Sequence, residues 1–170
     1  MNLETSTLHK CTPLHIASQK GHNNIVELLL DHGADANART TEGVSPILCA
    51  IQKNDYDSTK LLIEHGANIE DHEDVFGLTP LNFAVKYKKL EMAKILIENS
   101  ANINTTCYHL ATPLHYAVNQ NLGELVHLLL RNGASSNAKD IDKRTPIEGS
   151  LMKKQMGFFK TMIAYTRMHN

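Results

Sequence analysis

Residues 11–38, CTPLHIASQKGHNNIVELLLDHGADANA, carry two short apolar runs separated by a polar turn. Leu14, Ile16 and Ala17 make the first run. In the second, Ile25, Leu28 and Leu29 stand at i, i+3 and i+4, which predicts one apolar face on a helix. Thr12 suits an N-cap, and Pro13 suits the first helical position, where a missing N–H costs nothing. A short helix is therefore expected from Pro13 toward Gly21, and a second from near Asn24 to Gly33, which supplies the left-handed residue that ends it. Each is well below the roughly 12 to 15 residues at which an isolated helix becomes marginal in water. Such helices must stack to exist.

The pattern returns along the whole chain. Its five prolines each follow Thr or Ser and precede Leu or Ile: TPL at 12, SPI at 45, TPL at 79, TPL at 112 and TPI at 145, in steps of 33, 34, 33 and 33 residues. The end of the second helix returns in phase as HGADAN at 32, HGANIE at 65, NSANIN at 99 and NGASSN at 132. A fixed period of this length predicts a solenoid. Gly43 and Gly77 precede the Ser/Thr-Pro pairs by two residues, a place for a tight turn. The unit reads as helix, turn, helix, projecting hairpin. An extra residue in EDHEDVFG makes the third hairpin the longest.

Composition narrows the class. No Pro/Gly/Ser-rich linker interrupts the 170 residues, so one elongated domain is expected. Trp is absent and aromatics are few, which leaves Leu, Ile, Ala and Val to pack thin layers. A formal charge of −1 gives no overall pull toward nucleic acid or anionic lipid. MNLETSTLHK lacks the regions of a signal peptide and no apolar run reaches membrane-span length, so a soluble protein without a membrane partner is expected. Three scattered cysteines, Cys11, Cys49 and Cys107, suit a reducing compartment, cytoplasm or nucleus.

T-P-L-H-x-A at this period resembles the ankyrin repeat, present here as TPLHIA and TPLHYA with SPILCA and TPLNFA as variants. The resemblance implies an all-α solenoid of stacked helix-turn-helix units with projecting β-hairpin loops. The five units run approximately 7–39, 40–73, 74–106, 107–139 and 140–170, the last as a C-terminal cap. It also implies a concave surface of hairpin tips and inner helices that binds another protein, by masking or scaffolding, with no cofactor and no small-molecule substrate. Among proteins of similar size the chain resembles cytoplasmic inhibitors of Rel-type transcription factors, and ankyrin proteins of large DNA viruses and intracellular parasites that act on host signalling. A substrate adaptor of a ubiquitin ligase would require a longer parent chain. Departures from the pattern are Leu110 at the turn position of Gly43 and Gly77, Asn54 and Lys88 at the inter-helix glycine, and GSLMKKQMGFF after TPIE.

Candidate chemistry is sparse. No P-loop, nucleophile elbow, H-E-x-x-H or dinucleotide turn occurs, and no enzyme is expected. His15 and His115 recur at the motif's own position and His32 and His65 precede a helix-ending glycine, so bonds to turn carbonyls account for them without a metal. Asn37, Asn104 and Asn137 are read as hydrogen-bonding loop residues. Positions that packing does not require include the hairpin tips and inner-helix ends. There Phe76, Tyr87 and Tyr108, flanked by Val75 and Leu78, are the candidate centre of partner binding, with Lys53, Lys86, Lys88 and Lys89 as a basic rim and Arg39, Glu42 and His109 on the tips. The alternative is that Phe76 and Tyr108 fold back and staple neighbouring hairpins. From Lys143 onward Lys143, Arg144, Lys153, Lys154, Lys160 and Arg167 face only Glu148, a local charge of +5, on a segment expected to bury Leu151, Phe158, Phe159, Met162 and Ile163.

Overall fold

Each Thr/Ser-Pro pair opens a helix. Thr12, Ser45, Thr79, Thr112 and Thr145 are extended N-caps, and proline takes the first helical turn after each. The structure, a computed structural model, describes residues 9–168. Residues 1–8, which carry the reading of the amino terminus and the start of the first unit, and residues 169–170 lie outside it. Within this range the helices alternate between inner and outer positions: α1 (Pro13–Lys20), α2 (Asn23–Asp31), α3 (Pro46–Lys53), α4 (Tyr56–Glu64), α5 (Pro80–Lys86), α6 (Leu90–Glu98), α7 (Pro113–Asn119), α8 (Gly123–Arg131), α9 (Pro146–Met152) and α10 (Met156–Met168). The odd-numbered inner helices stack on one another, the even-numbered outer helices form a second row, and each pair packs internally.

The outer helices end alike. A left-handed residue, Gly33, Gly66, Ser100 or Gly133, follows α2, α4, α6 and α8, and the next alanine donates back to the carbonyl five residues earlier, as in Ala34 to Leu29 at 3.0 Å. His32 and His65 cap a carbonyl four residues back through Nδ1 (2.8 and 2.9 Å), and Asn99 and Asn132 do so through Nδ2 (both 2.8 Å). The expected role of the two histidines is thus shared by two asparagines at the same phase. Between units, Asn37 Nδ2 donates to the Gly66 carbonyl (3.0 Å) while its Oδ1 accepts Asn68 N–H (2.6 Å); Asn104 repeats the pair with Gly133 and Ser135 (3.2 and 2.8 Å).

Leu14, Ile47, Leu81 and Leu114, one in each of the first four units, are at most 1% exposed and line the layers between inner helices, while the equivalent Ile147 is half-buried. The face expected on α2 is displaced. Val26 and Leu30 are buried, while Ile25 is 43% and Leu28 57% exposed. Val26 and Leu30 dock α2 on α1 and α4, the half-buried Leu29 packs against the core beside them, and Ile25 and Leu28 face away from the stack. At the other end Met162 is fully buried and Phe158, Phe159 and Ile163 are half-buried, but Leu151 is 44% exposed. The equivalent Ser18, Ile51, Val85 and Val118 are each covered by the next inner helix, and α9 is the last one described.

No strand forms among the described residues, so the projecting loops are turns and not β-ladders. Each closes on one bond between its ends, Thr40 N–H to Val44 O, Glu73 to Leu78, Cys107 to Ala111 and Asp140 to Arg144, at 3.0, 3.3, 3.2 and 3.0 Å, with a turn bond inside it, Gly43 N–H to Thr40 O, Gly77 to Glu73, Leu110 to Cys107 and Lys143 to Asp140, at 2.9–3.1 Å. Five residues leave no room for a second rung. Only the Glu73–Leu78 closure spans one residue more, which places the extra residue at the tip. A single backbone bond ties each tip to the one before it: Thr41 N–H to His9 O, Asp74 to Glu42, Tyr108 to Phe76 and Ile141 to His109, at 2.9–3.0 Å.

Candidate interaction surface

The third hairpin is organised by a buried carboxylate. Glu73, 5% exposed, accepts the N–H groups of Val75 (2.7 Å), Phe76 (2.9 Å) and Leu78 (3.0 Å). Wrapping the chain around one carboxylate drives Val75 and Phe76 outward, 55% and 44% exposed, and turns Leu78 inward to 1%. Leu78, expected beside the aromatics at the surface, is therefore buried and does not share their exposure. Tyr108 lies over Gly77: a Cβ built there would meet the ring at 2.4 Å. Its ring meets His72 edge-on at 5.8 Å, yet it keeps 53% of its surface exposed. Stapling and exposure coexist in this residue.

Tyr87 follows α5, is 47% exposed, and packs against Phe83 with centroids 4.4 Å apart. Lys86 extends between the rings, its Nζ 4.2 Å from the centroid of Phe76, 5.7 Å from that of Tyr87 and 5.9 Å from that of Tyr116. The expected basic rim thus has one member at its centre, held by three rings from three elements. Lys53 and Lys88 are exposed and Lys89 half-buried. Arg39 is already engaged. It pairs with Asp71 and, at 2.7 Å, with Asp74, and donates to the His72 carbonyl at 2.8 Å. The Asp71 hydrogen bond leads the causes that raise its pKa further, so it ties the second hairpin to the third. Glu42 and His109 are exposed tip residues whose carbonyls receive the inter-hairpin bonds.

Three residues of this surface were not among the candidates for binding. Tyr116 lies inside an inner helix, where an aromatic reads as core. Leu110, 50% exposed, and Ile141, 58% exposed, continue the apolar tips beyond Tyr108. An apolar residue at every tip position after the second hairpin was the available signal.

Reactive groups are muted on this surface. Burial pushes the Cys49 thiol up to about 12, and burial also raises the Tyr116 phenol, whose OH meets Cys107 Sγ at 3.3 Å. Among the described residues no cluster of His, Cys, Asp and Glu could hold a metal ion, and no helix is long and apolar enough to cross a membrane.

A family model described as ankyrin repeats (3 copies) matches residues 1–73 and 68–140. The chain belongs to the ankyrin-repeat family. Ankyrin repeats form a protein–protein interaction module, and this ankyrin-repeat chain has short matches to several multidomain proteins. It is 56% identical over 36 residues to human "Ankyrin repeat and SOCS box protein 5", covering 21% of this chain and 11% of that protein. It is 53% identical over 36 residues to "BTB/POZ domain and ankyrin repeat-containing protein NOOT1" of Medicago truncatula, covering 21% and 8%. It is 64% identical over 28 residues to "E3 ubiquitin-protein ligase XBAT33" of Arabidopsis thaliana, covering 16% and 6%. The chain thus matches about a tenth or less of the length of these relatives.

Proposed function

We propose that this ankyrin-repeat chain, read as five repeats with residues 140–170 as the closing cap, binds a partner protein and acts by masking or scaffolding it. One observation carries the reading. Phe76, Tyr87 and Tyr108 stay about half exposed on neighbouring repeats, with Val75 beside them and the Lys86 ammonium among the rings. Large rigid aromatics with a polar partner are the residue types that dominate binding energy, each hot spot costing about 2 kcal/mol or more on truncation. The scattered positions of Cys11, Cys49 and Cys107, without disulfide-framework spacing, support a reducing site of action in cytoplasm or nucleus.

A second reading draws on the names of the human and Arabidopsis relatives, which contain a SOCS box and a ubiquitin ligase: the same patch would hold a ligase's substrate. The test of the first reading is affinity capture from cell lysate with wild type and the Phe76→Ala, Tyr87→Ala, Tyr108→Ala variant, once circular dichroism shows equal helicity and cooperative melting. A partner held by wild type and lost by the folded variant supports docking on this patch. Equal retention would reduce the three aromatics to staples. If the captured partner carries ubiquitin chains or rises in abundance when the protein is depleted, the adaptor reading gains over masking.

A further inference from the structure

Two grooves on the inner-helix side of the stack repeat a single design. One, of about 370 Å³, lies between α3 and α5, with Leu48 and Phe83 in its wall and Tyr87 and Lys89 at its mouth. The other, of about 250 Å³, lies between α7 and α9 and includes His115, Gly149, Met152 and Lys153. They occupy the same place two repeats apart. Counted from the motif prolines, His115 stands where Leu48 does, Gly149 where Phe83 does and Lys153 where Tyr87 does. Between α5 and α7 the corresponding place is bridged by side chains. Tyr116 holds the Phe83 position there, with Lys86 over its ring and Gln120 Nε2 donating to the Lys86 carbonyl at 2.9 Å.

The charge at both mouths has one sign. Each groove has one carboxylate in its wall, and each carboxylate is used internally. Glu73 holds the hairpin N–H groups described above, and Asp140 accepts the N–H groups of Asp142 and Arg144, both at 2.9 Å, with the Arg144 side chain 3.6 Å away. The lysines beside them are not so paired. Among the described residues Lys86, Lys88, Lys89, Lys153 and Lys154 form no ion pair; Lys153 reaches only the Asn119 carbonyl. Lys89 at the first slot, Lys153 at the second and Lys86 over the Tyr116 ring between them are ammonium groups without an ion pair, and they complement an anionic chain that carries apolar side chains.

We infer that the two grooves take one extended, acidic segment of a partner protein, one apolar anchor side chain in each, with its carboxylates over these lysines. Packed helix axes lie about 8–10 Å apart, so grooves two repeats apart are separated by roughly 16–20 Å. An extended chain at about 3.3 Å per residue covers that distance in about five or six residues. The Tyr116–Lys86 ridge between the slots keeps the segment straight over the span. This inference rests on the docking reading above and narrows it to a partner of stated chemistry.

The test selects a phage-displayed random dodecapeptide library against the full chain. The expected winners carry two large apolar residues five or six positions apart, with Asp or Glu between or beside them. Synthetic fluorescent copies should lose about tenfold or more in affinity for a Lys89→Glu, Lys153→Glu variant. They should lose a similar factor for Gly149→Leu, which fills the second groove. That site tolerates a side chain, since a Cβ there meets nothing closer than 3.9 Å on a helical backbone, and melting curves check each variant. Absence of any enriched peptide, winners without that spacing or charge, or winners that bind the groove variants as tightly as wild type would overturn the inference. Capture of the lysate partner separates the two levels. A partner lost by Phe76→Ala, Tyr108→Ala but retained by the groove variants leaves the docking reading standing and removes the two-groove segment. A partner retained by every variant removes both.

Discussion

Asn82 occupies the position of His15 and His115 without their bonds. In the first repeat His15 Nδ1 accepts the Thr12 N–H at 3.2 Å, which leaves the proton on Nε2 to bond the Val44 carbonyl at 2.9 Å. His115 does the same with Thr112 (3.1 Å) and Arg144 (3.1 Å). Asn82 is fully buried and both atoms of its amide lack a partner. Orphaned buried polar groups cost about 1–3 kcal/mol, so Asn82→His is predicted to stabilise the chain by about 1–2 kcal/mol, read as a raised urea midpoint. Asn82→Leu, copying Leu48, should gain less because it removes the orphan without adding bonds; a lower midpoint for both would show that the site needs the amide. His115 also fixes a pH response. Burial, the largest cause, lowers its pKa below the ordinary value despite the Arg144 carbonyl and Asp140. The unfolded chain then takes the proton more readily, so this contribution is complete above the unfolded value of about 6.5 and lost as pH falls from there toward the folded value. The melting-temperature advantage of wild type over His115→Leu is predicted to shrink as pH falls from about 7.5 to about 5.5; an advantage constant over that range would refute the assignment.

At the scale of the element, the hairpins show what the sequence could and could not convey. Thr/Ser-Pro starts, helix-ending glycines and the extra residue before Gly77 were legible because each has a local cause in capping, positive φ or chain length. Leu110 reads as a departure from glycine and still takes φ +56, with Lys143 at +62 in the next repeat, so the inter-hairpin bonds impose the turn on unsuited residues. The inward turn of Leu78 and the central place of Lys86 were not legible. The first depends on a carboxylate gathering three N–H groups, the second on rings from three elements 40 residues apart along the chain, from Phe76 to Tyr116. Glu73 is thus the keystone of the exposed aromatic tip. Glu73→Ala strands three N–H groups of a hairpin and is predicted to cost about 2–4 kcal/mol. Because the tip itself reorganises, the quenching accessibility of Tyr108 should change as well. A variant that keeps wild-type stability would mean that water or a neighbouring hairpin can replace the carboxylate.

At the scale of the molecule, each layer rests only on its neighbours, so stability is a sum of repeat and interface terms and not the property of one core. The inner positions covered by a following helix, Ile51, Val85 and Val118, are at most 1% exposed, whereas Leu151 is 44%, Met152 70% and Met156 51% exposed at one end and Ile25 43% and Leu28 57% at the other. A period of 33 residues announces such a stack, but it cannot say which face of an end helix goes unburied, because that depends on a neighbour and not on the helix. The consequence is a gradient of local opening. Hydrogen exchange is predicted to be slowest in α3 through α8, which are covered on both sides, and faster in α1, α2, α9 and α10. Under rising denaturant the end pairs should exchange by opening alone before the centre does, since breaking one interface at an end exposes half of what breaking into the middle exposes. Uniform protection along the chain, with all helices exchanging through one global event, would instead mean that the interfaces outweigh the repeats so strongly that 170 residues unfold as a single cooperative block.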